Sequence, residues 1–137
     1  MDGKLLLFLL AFAFNAPHLT GQIETAIEGH WRSPNGSVII SIGPCDQSLC
    51  GHVYWASDKA IADSRKGGTD PLVGTELISE IVPYGEGRWK ARLFVPDINK
   101  TTRAELREIG PDQLRVKGCT AAGLVCKSQI WIRTGPE

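Results

Sequence analysis

The sequence contains no apolar run of 18 residues, the length an ordinary membrane-spanning helix requires. It has no excess of either charge. Its 15 Lys and Arg stand against 15 Asp and Glu, so it carries neither a basic footprint for nucleic acid nor an acidic tail. Histidine is scarce, three in 137 residues, and a His-based metal site needs two or three clustered ligands. There is no G-x-S-x-G nucleophile element, no C-x-x-C redox motif and no C-x-x-C-H haem motif. Lys66-Gly67-Gly68 lacks the strand-to-helix context of a phosphate loop. Asp58, Asp63 and Asp70 lie on a polar stretch and Glu105 and Glu108 on a charged one, where solvated carboxylates are the simpler reading than an acid–base pair. No catalytic residue, metal or cofactor is therefore assigned, and a non-enzymatic role is expected. What remains is a chain too apolar for disorder and of a length for one domain.

The longest apolar block, residues 5–14, follows a single Lys4 and precedes small and polar residues. Its ten residues suit the apolar segment of a signal peptide and are too few to cross a bilayer. Residues 1–21 are expected to be a signal peptide, cleaved between Ala16 and Gly21 and preferably at Gly21, leaving one domain over 22–137. Lys4 and Asp2 leave together, so the processed chain stays neutral. The address is periplasmic or secreted.

Cysteine usage agrees with that address. Cys45, Cys50, Cys119 and Cys126 fall in two close pairs, and an oxidising compartment makes disulfides the default. Four cysteines allow three connectivities. Cys45–Cys50 would close a turn holding Asp46-Gln47-Ser48, and Cys119–Cys126 the Gly-bearing 120–123. The competing reading is zinc, but the C-x4-C and C-x6-C spacings are wider than the usual C-x2-C knuckle.

The rest alternates apolar and polar residues in short runs separated by turn residues. Residues 88–95 set Trp89, Ala91, Leu93 and Val95 against Arg88, Lys90, Arg92 and Phe94. Similar runs cover 27–32, 37–42, 49–55, 77–82, 101–108, 113–119 and 127–133, with Ser33-Pro34-Asn35-Gly36 and Gly110-Pro111-Asp112 among the turns. In the run 49–55, Gly51, Val53 and Trp55 share one face. About eight antiparallel strands with one wet face make a small all-β barrel or sandwich. Residues 56–75 break the rhythm. Such a long polar segment is either a lid or binding loop, or a loose connector with one helical turn at 58–63.

Gly29-His30-Trp31 with Arg133 near the end resembles the lipocalin and calycin arrangement, in which a terminal Arg covers a Trp at the closed end of a barrel. A wider resemblance runs through Pro44-Cys45, Leu49-Cys50-Gly51-x-Val53-x-Trp55, Gly87-Arg88-Trp89, Leu93-Phe94-Val95-Pro96, and Val116-Lys117-Gly118-Cys119 to Arg133. In these residues the chain resembles the DUF2147 family of exported bacterial proteins. Phe94-Val95-Pro96 and Asn99-Lys100-x-Thr102 stand where that family often has Tyr-Asp-Pro and Gly-Lys-x-Tyr, so any site built on those polar groups is altered here. The resemblance implies a lipocalin-like β-barrel with two local disulfides, and carries over no catalytic residue.

Two roles follow as expectations. A hollow barrel would bind a small apolar or amphipathic ligand, entering between the 56–75 loop and the strand ends and touching Trp55 and Trp89. A filled barrel, which so short a core favours, would instead present its outer surface to another envelope protein as an inhibitor, adaptor or stress accessory. Hydrolysis at an undetected carboxylate pair comes last. A monomer is expected in either case.

Overall fold

The structure is a computed structural model that describes residues 26–120 and 125–135. Residues 1–21, read above as a signal peptide, and 121–123, read as part of the second cysteine turn, lie outside the described residues. Eight strands follow in order: β1 (Gly29–Arg32), β2 (Val38–Cys45), β3 (Ser48–Ala56), β4 (Glu76–Gly85), β5 (Arg88–Val95), β6 (Lys100–Gly110), β7 (Gln113–Thr120) and β8 (Val125–Thr134). One helix, α1 (Asp58–Lys66), sits between β3 and β4. Each strand pairs antiparallel with the next, and β1 pairs with β8 to close the barrel. Closure leaves no open edge to recruit another chain.

Alternation produces the inner face. Trp89 and Ala91 of β5, Ala104 and Leu106 of β6, and Leu114 and Val116 of β7 point into one core with Trp31, Ile40, Ile78 and Trp131. Charged partners between them, such as Lys90 opposite Glu105 and Glu105 opposite Lys117, occupy the outer face. Register shifts reset the phase at several points, two of which decide which residues face the core. Between β2 and β3, Ile39 faces Trp55 and Ile40 faces Val53, so Tyr54 is an extra residue on β3. Between β4 and β5, Ser79 faces Arg92 and Val82 faces Lys90, and the extra residue at Glu80 has φ +50°. Ile78 and Ile81 are consequently both buried despite their odd spacing.

The 56–75 segment is ordered by local chemistry. Ser57 caps α1, its hydroxyl accepting from the Ala60 N–H at 3.1 Å. Asp58 stands in the first turn and Arg65 and Lys66 in the last, matching the helix dipole. The helix runs past the single turn expected at 58–63. Its inner face is only Ala60, Ile61 and the buried Ser64, too few apolar residues to declare a helix in sequence.

The cysteines pair locally, Cys45 with Cys50 and Cys119 with Cys126. The first staples the β2–β3 hairpin and the second joins β7 to β8 at a register pair. They lie at opposite ends of the barrel.

Candidate functional site

One end of the barrel is shut. Arg133 lies with its guanidinium carbon 4.3 Å from the centroid of the Trp31 ring, a cation stacked on an indole face. The same guanidinium donates to the carbonyls of Glu28 and Pro111, each at 2.9 Å, and of Ala26 at 2.6 Å. Trp31 Nε1 donates to the Ile27 carbonyl at 2.9 Å, and both side chains are fully buried. Gly29 is required beneath them. Its φ is +127°, and a Cβ there would stand 2.9 Å from Arg133 Nη1.

The other end is open and leads into a cavity of about 780 Å³. The interior is thus open towards this end and packed towards the shut one, where the expectation of a filled barrel drawn from core length holds better. Trp131 lies deep in it, with Ile78, Leu93 and Val116 on the walls. The mouth is framed by the β1–β2 turn at Asn35, by Lys59, Ala60 and Asp63 of α1, by Leu72, and by Pro96-Asp97-Ile98 after β5.

Helix α1 is seated at the rim by close backbone approach. A Cβ on Gly67 would fall 2.1 Å from the Asp97 carbonyl oxygen, so only glycine permits this contact. The Thr69 hydroxyl donates to the Pro96 carbonyl at 3.2 Å, and the Ser64 hydroxyl to those of Ile61 and Thr69. The segment thus forms part of the cavity's frame, not a loose connector. Lys59 and Asp63 pair across one turn at 2.8 Å. Their hydrogen bond holds the Asp63 carboxyl below the ordinary carboxylate value and the Lys59 ammonium above its own.

The two tryptophans expected to touch a ligand lie elsewhere. Trp55 is 43% exposed on the outer wall. The Tyr54 bulge inserts one residue after Val53, so Tyr54 and Trp55 both point outward and Ala56 returns to the inside. Trp89 is buried towards the shut end, where it borders a separate shallow hollow with Leu49, Ile81 and Pro83. Trp131 is the tryptophan that lines the main cavity, a position not assigned from sequence. A period of two counted back from Arg133 would have found it, together with Gln129, Lys127 and Val125.

Other candidate groups are dispersed. Asp70 meets Arg65 at 3.3 Å, and Glu105 accepts from the Tyr84 hydroxyl at 3.1 Å. His30 packs edge-on against Tyr54 with ring centroids 4.7 Å apart, and His52 Nδ1 lies 3.7 Å from Cys50 Sγ. Among the described residues, one group gathers metal-type donor atoms within 4.8 Å: Cys45, Cys50 and Glu76. Both of its sulfurs are engaged in the disulfide and are not thiolate donors. Among those residues, no helix is long and apolar enough to cross a membrane.

Comparison with known proteins agrees with this geometry. A family model described as "Uncharacterized protein conserved in bacteria (DUF2147)" matches residues 29–133. No curated protein matches the sequence. Among solved structures, the chain is similar to protein HP1028 from the human pathogen Helicobacter pylori, described as belonging to the lipocalin family. The identity is 11%, the TM-score 0.61, and the match covers 79% of this chain and 82% of that one. At that identity the likeness concerns the fold.

Proposed function

The chain belongs to the DUF2147 family of proteins conserved in bacteria, and for this member we propose that the barrel binds a small apolar or amphipathic molecule in its open cavity. The observation that carries the reading is the cavity itself. A volume of about 780 Å³ falls within the usual range for small-molecule sites, and its walls are apolar with a few polar groups. A rigid barrel shut at one end and open at the other admits a ligand without first unfolding anything. The lipocalin-like architecture is compatible with this use.

We place the protein outside the cytoplasm, in the periplasm or secreted, as a monomer whose first 21 residues direct export. The apolar block at 5–14 and the two disulfides support that placement. The test is native mass spectrometry of protein purified from its own periplasm. A co-purifying small molecule is the expected result. Repeated recovery of an empty chain, with no tryptophan quenching by apolar ligands, overturns the reading.

A second reading has one observation behind it. Trp55, Ile39, Arg32 and Ile132 form a cross-strand row over β3, β2, β1 and β8, with Trp55 and Ile132 exposed and Tyr54 beside them. Such a row could meet another envelope protein. Crosslinking in the periplasm distinguishes the two. A protein adduct lost on Trp55→Ser favours this second reading, whereas undiminished ligand recovery from that variant favours the first.

A further inference from the structure

Strand β8 places a charged residue on the wall of the cavity. Val125, Lys127, Gln129 and Trp131 line the cavity, while Ser128, Ile130 and Ile132 alternate with them. A lysine and a glutamine thus stand on the cavity side of the strand, both exposed near the open end, and Ile132 is turned outward.

The two polar side chains are donors without acceptors. Among the described residues, no carboxylate or carbonyl partners the Lys127 ammonium. Gln129 Oε1 already accepts from Trp131 Nε1 at 3.1 Å, which leaves the amide N–H groups of Gln129 to donate. The carboxylates that line the cavity are Asp63 and Asp97, and both act on Lys59, Asp63 through a direct bond and Asp97 through its charge. Of the lysines that line the cavity, Lys127 is the one without an ion-pair partner among the described residues. Its register partner on β7 is Gly118, which puts no side chain beside the ammonium. A Cβ there would stand 3.2 Å from Leu93 Cδ2, a tight contact. Below Lys127, one and two steps along the same face, come Gln129 and then Trp131 at depth.

We infer that the cavity selects amphiphiles bearing a single anionic group, which Lys127 and the Gln129 amide hold near the mouth while the apolar body lies on Trp131, Leu93 and Ile78. This inference rests on the ligand-binding reading above and adds the charge and the orientation of the ligand. An ammonium without a partner among the described residues, beside amide N–H donors, favours an anionic headgroup at that spot and repels a cationic one.

The test compares decanoate, 1-decanol and decyltrimethylammonium by calorimetry at pH 7.5, in the unmodified protein and in two variants. Lys127→Met removes the charge while keeping an unbranched apolar stem. Lys117→Met removes a lysine from the outer face of the neighbouring strand, as a charge control. Decanoate is expected to bind about tenfold more tightly than decanol, equivalent to about 1.4 kcal/mol, and decyltrimethylammonium more weakly than either. In Lys127→Met the gap between decanoate and decanol closes while decanol affinity holds; in Lys117→Met the gap persists. Equal binding of decanoate and decanol to the unmodified protein, or a gap that survives Lys127→Met, overturns the inference and leaves the hollow-barrel reading standing. Failure of all three probes to bind overturns both.

Discussion

Arg133 holds the shut end through one ring face and three carbonyls at once. Arg133→Ala is expected to lower unfolding free energy by about 2–3 kcal/mol, from a cation–π contact and charge-assisted hydrogen bonds lost together. Urea melts followed by tryptophan fluorescence read this directly. Lys at 133 keeps the charge but not the planar fork of donors, so Arg133→Lys recovers less than half of the loss. The tryptophans offer a second check. Trp131→Phe removes most of the fluorescence change on adding decanol, whereas Trp55→Phe leaves it intact, because only Trp131 lines the cavity. The residues of the shut end were legible in sequence, since Gly-x-Trp and a terminal Arg are spaced for one task. The cavity residues were not. Lys127 and Gln129 look like solvent-facing positions to any rule that sends polar groups outward, and Trp55 looked inward because a bulge at Tyr54 leaves no signature in the side chains around it.

At the scale of elements, the strands were legible because alternation repeats over whole runs, as from Arg88 to Val95. Helix α1 was half legible, because its caps are conventional but its inner face has only two apolar side chains. That helix depends on Gly67 for its seat. The φ at this position is −80°, which any residue adopts, so a substitution acts through the clash with the Asp97 carbonyl alone. Gly67→Ala is expected to cost about 1–3 kcal/mol, as overpacking does, and to change decanol affinity through the displaced rim. Thermal unfolding and calorimetry on one preparation separate the two effects. The disulfides act at opposite ends. Replacing either pair by serine is expected to cost about 2 kcal/mol in the chain-entropy account of short loops. Only the Cys119/Cys126 replacement also weakens ligand retention, because that pair joins β7 to β8 next to Thr120 and Val125 of the cavity lining.

The whole molecule is a neutral barrel with one shut end and one open end, its outer face carrying both opposed pairs such as Lys90 with Glu105 and like pairs such as Arg92 with Arg103. Nearly all of its strand pairings join neighbours along the chain, as in a succession of hairpins. The seam between β1 and β8 is different. It rests on three register pairs, His30 with Thr134, Trp31 with Arg133 and Arg32 with Ile132, each joining residues about a hundred positions apart. Closing so long a loop carries the largest entropic cost of any pairing in the barrel, and contacts of such sequence separation slow folding. The seam is therefore expected to be the last part of the barrel to form. Pulse-labelled hydrogen exchange during refolding should show the amides of β5 and β6 protected first and those of β1 last. Arg133→Ala should slow the final phase without altering the earlier ones. On that expectation the stack of Arg133 on Trp31 is a clasp that closes last, and a chain caught before it closes would be an open sheet with two free edges.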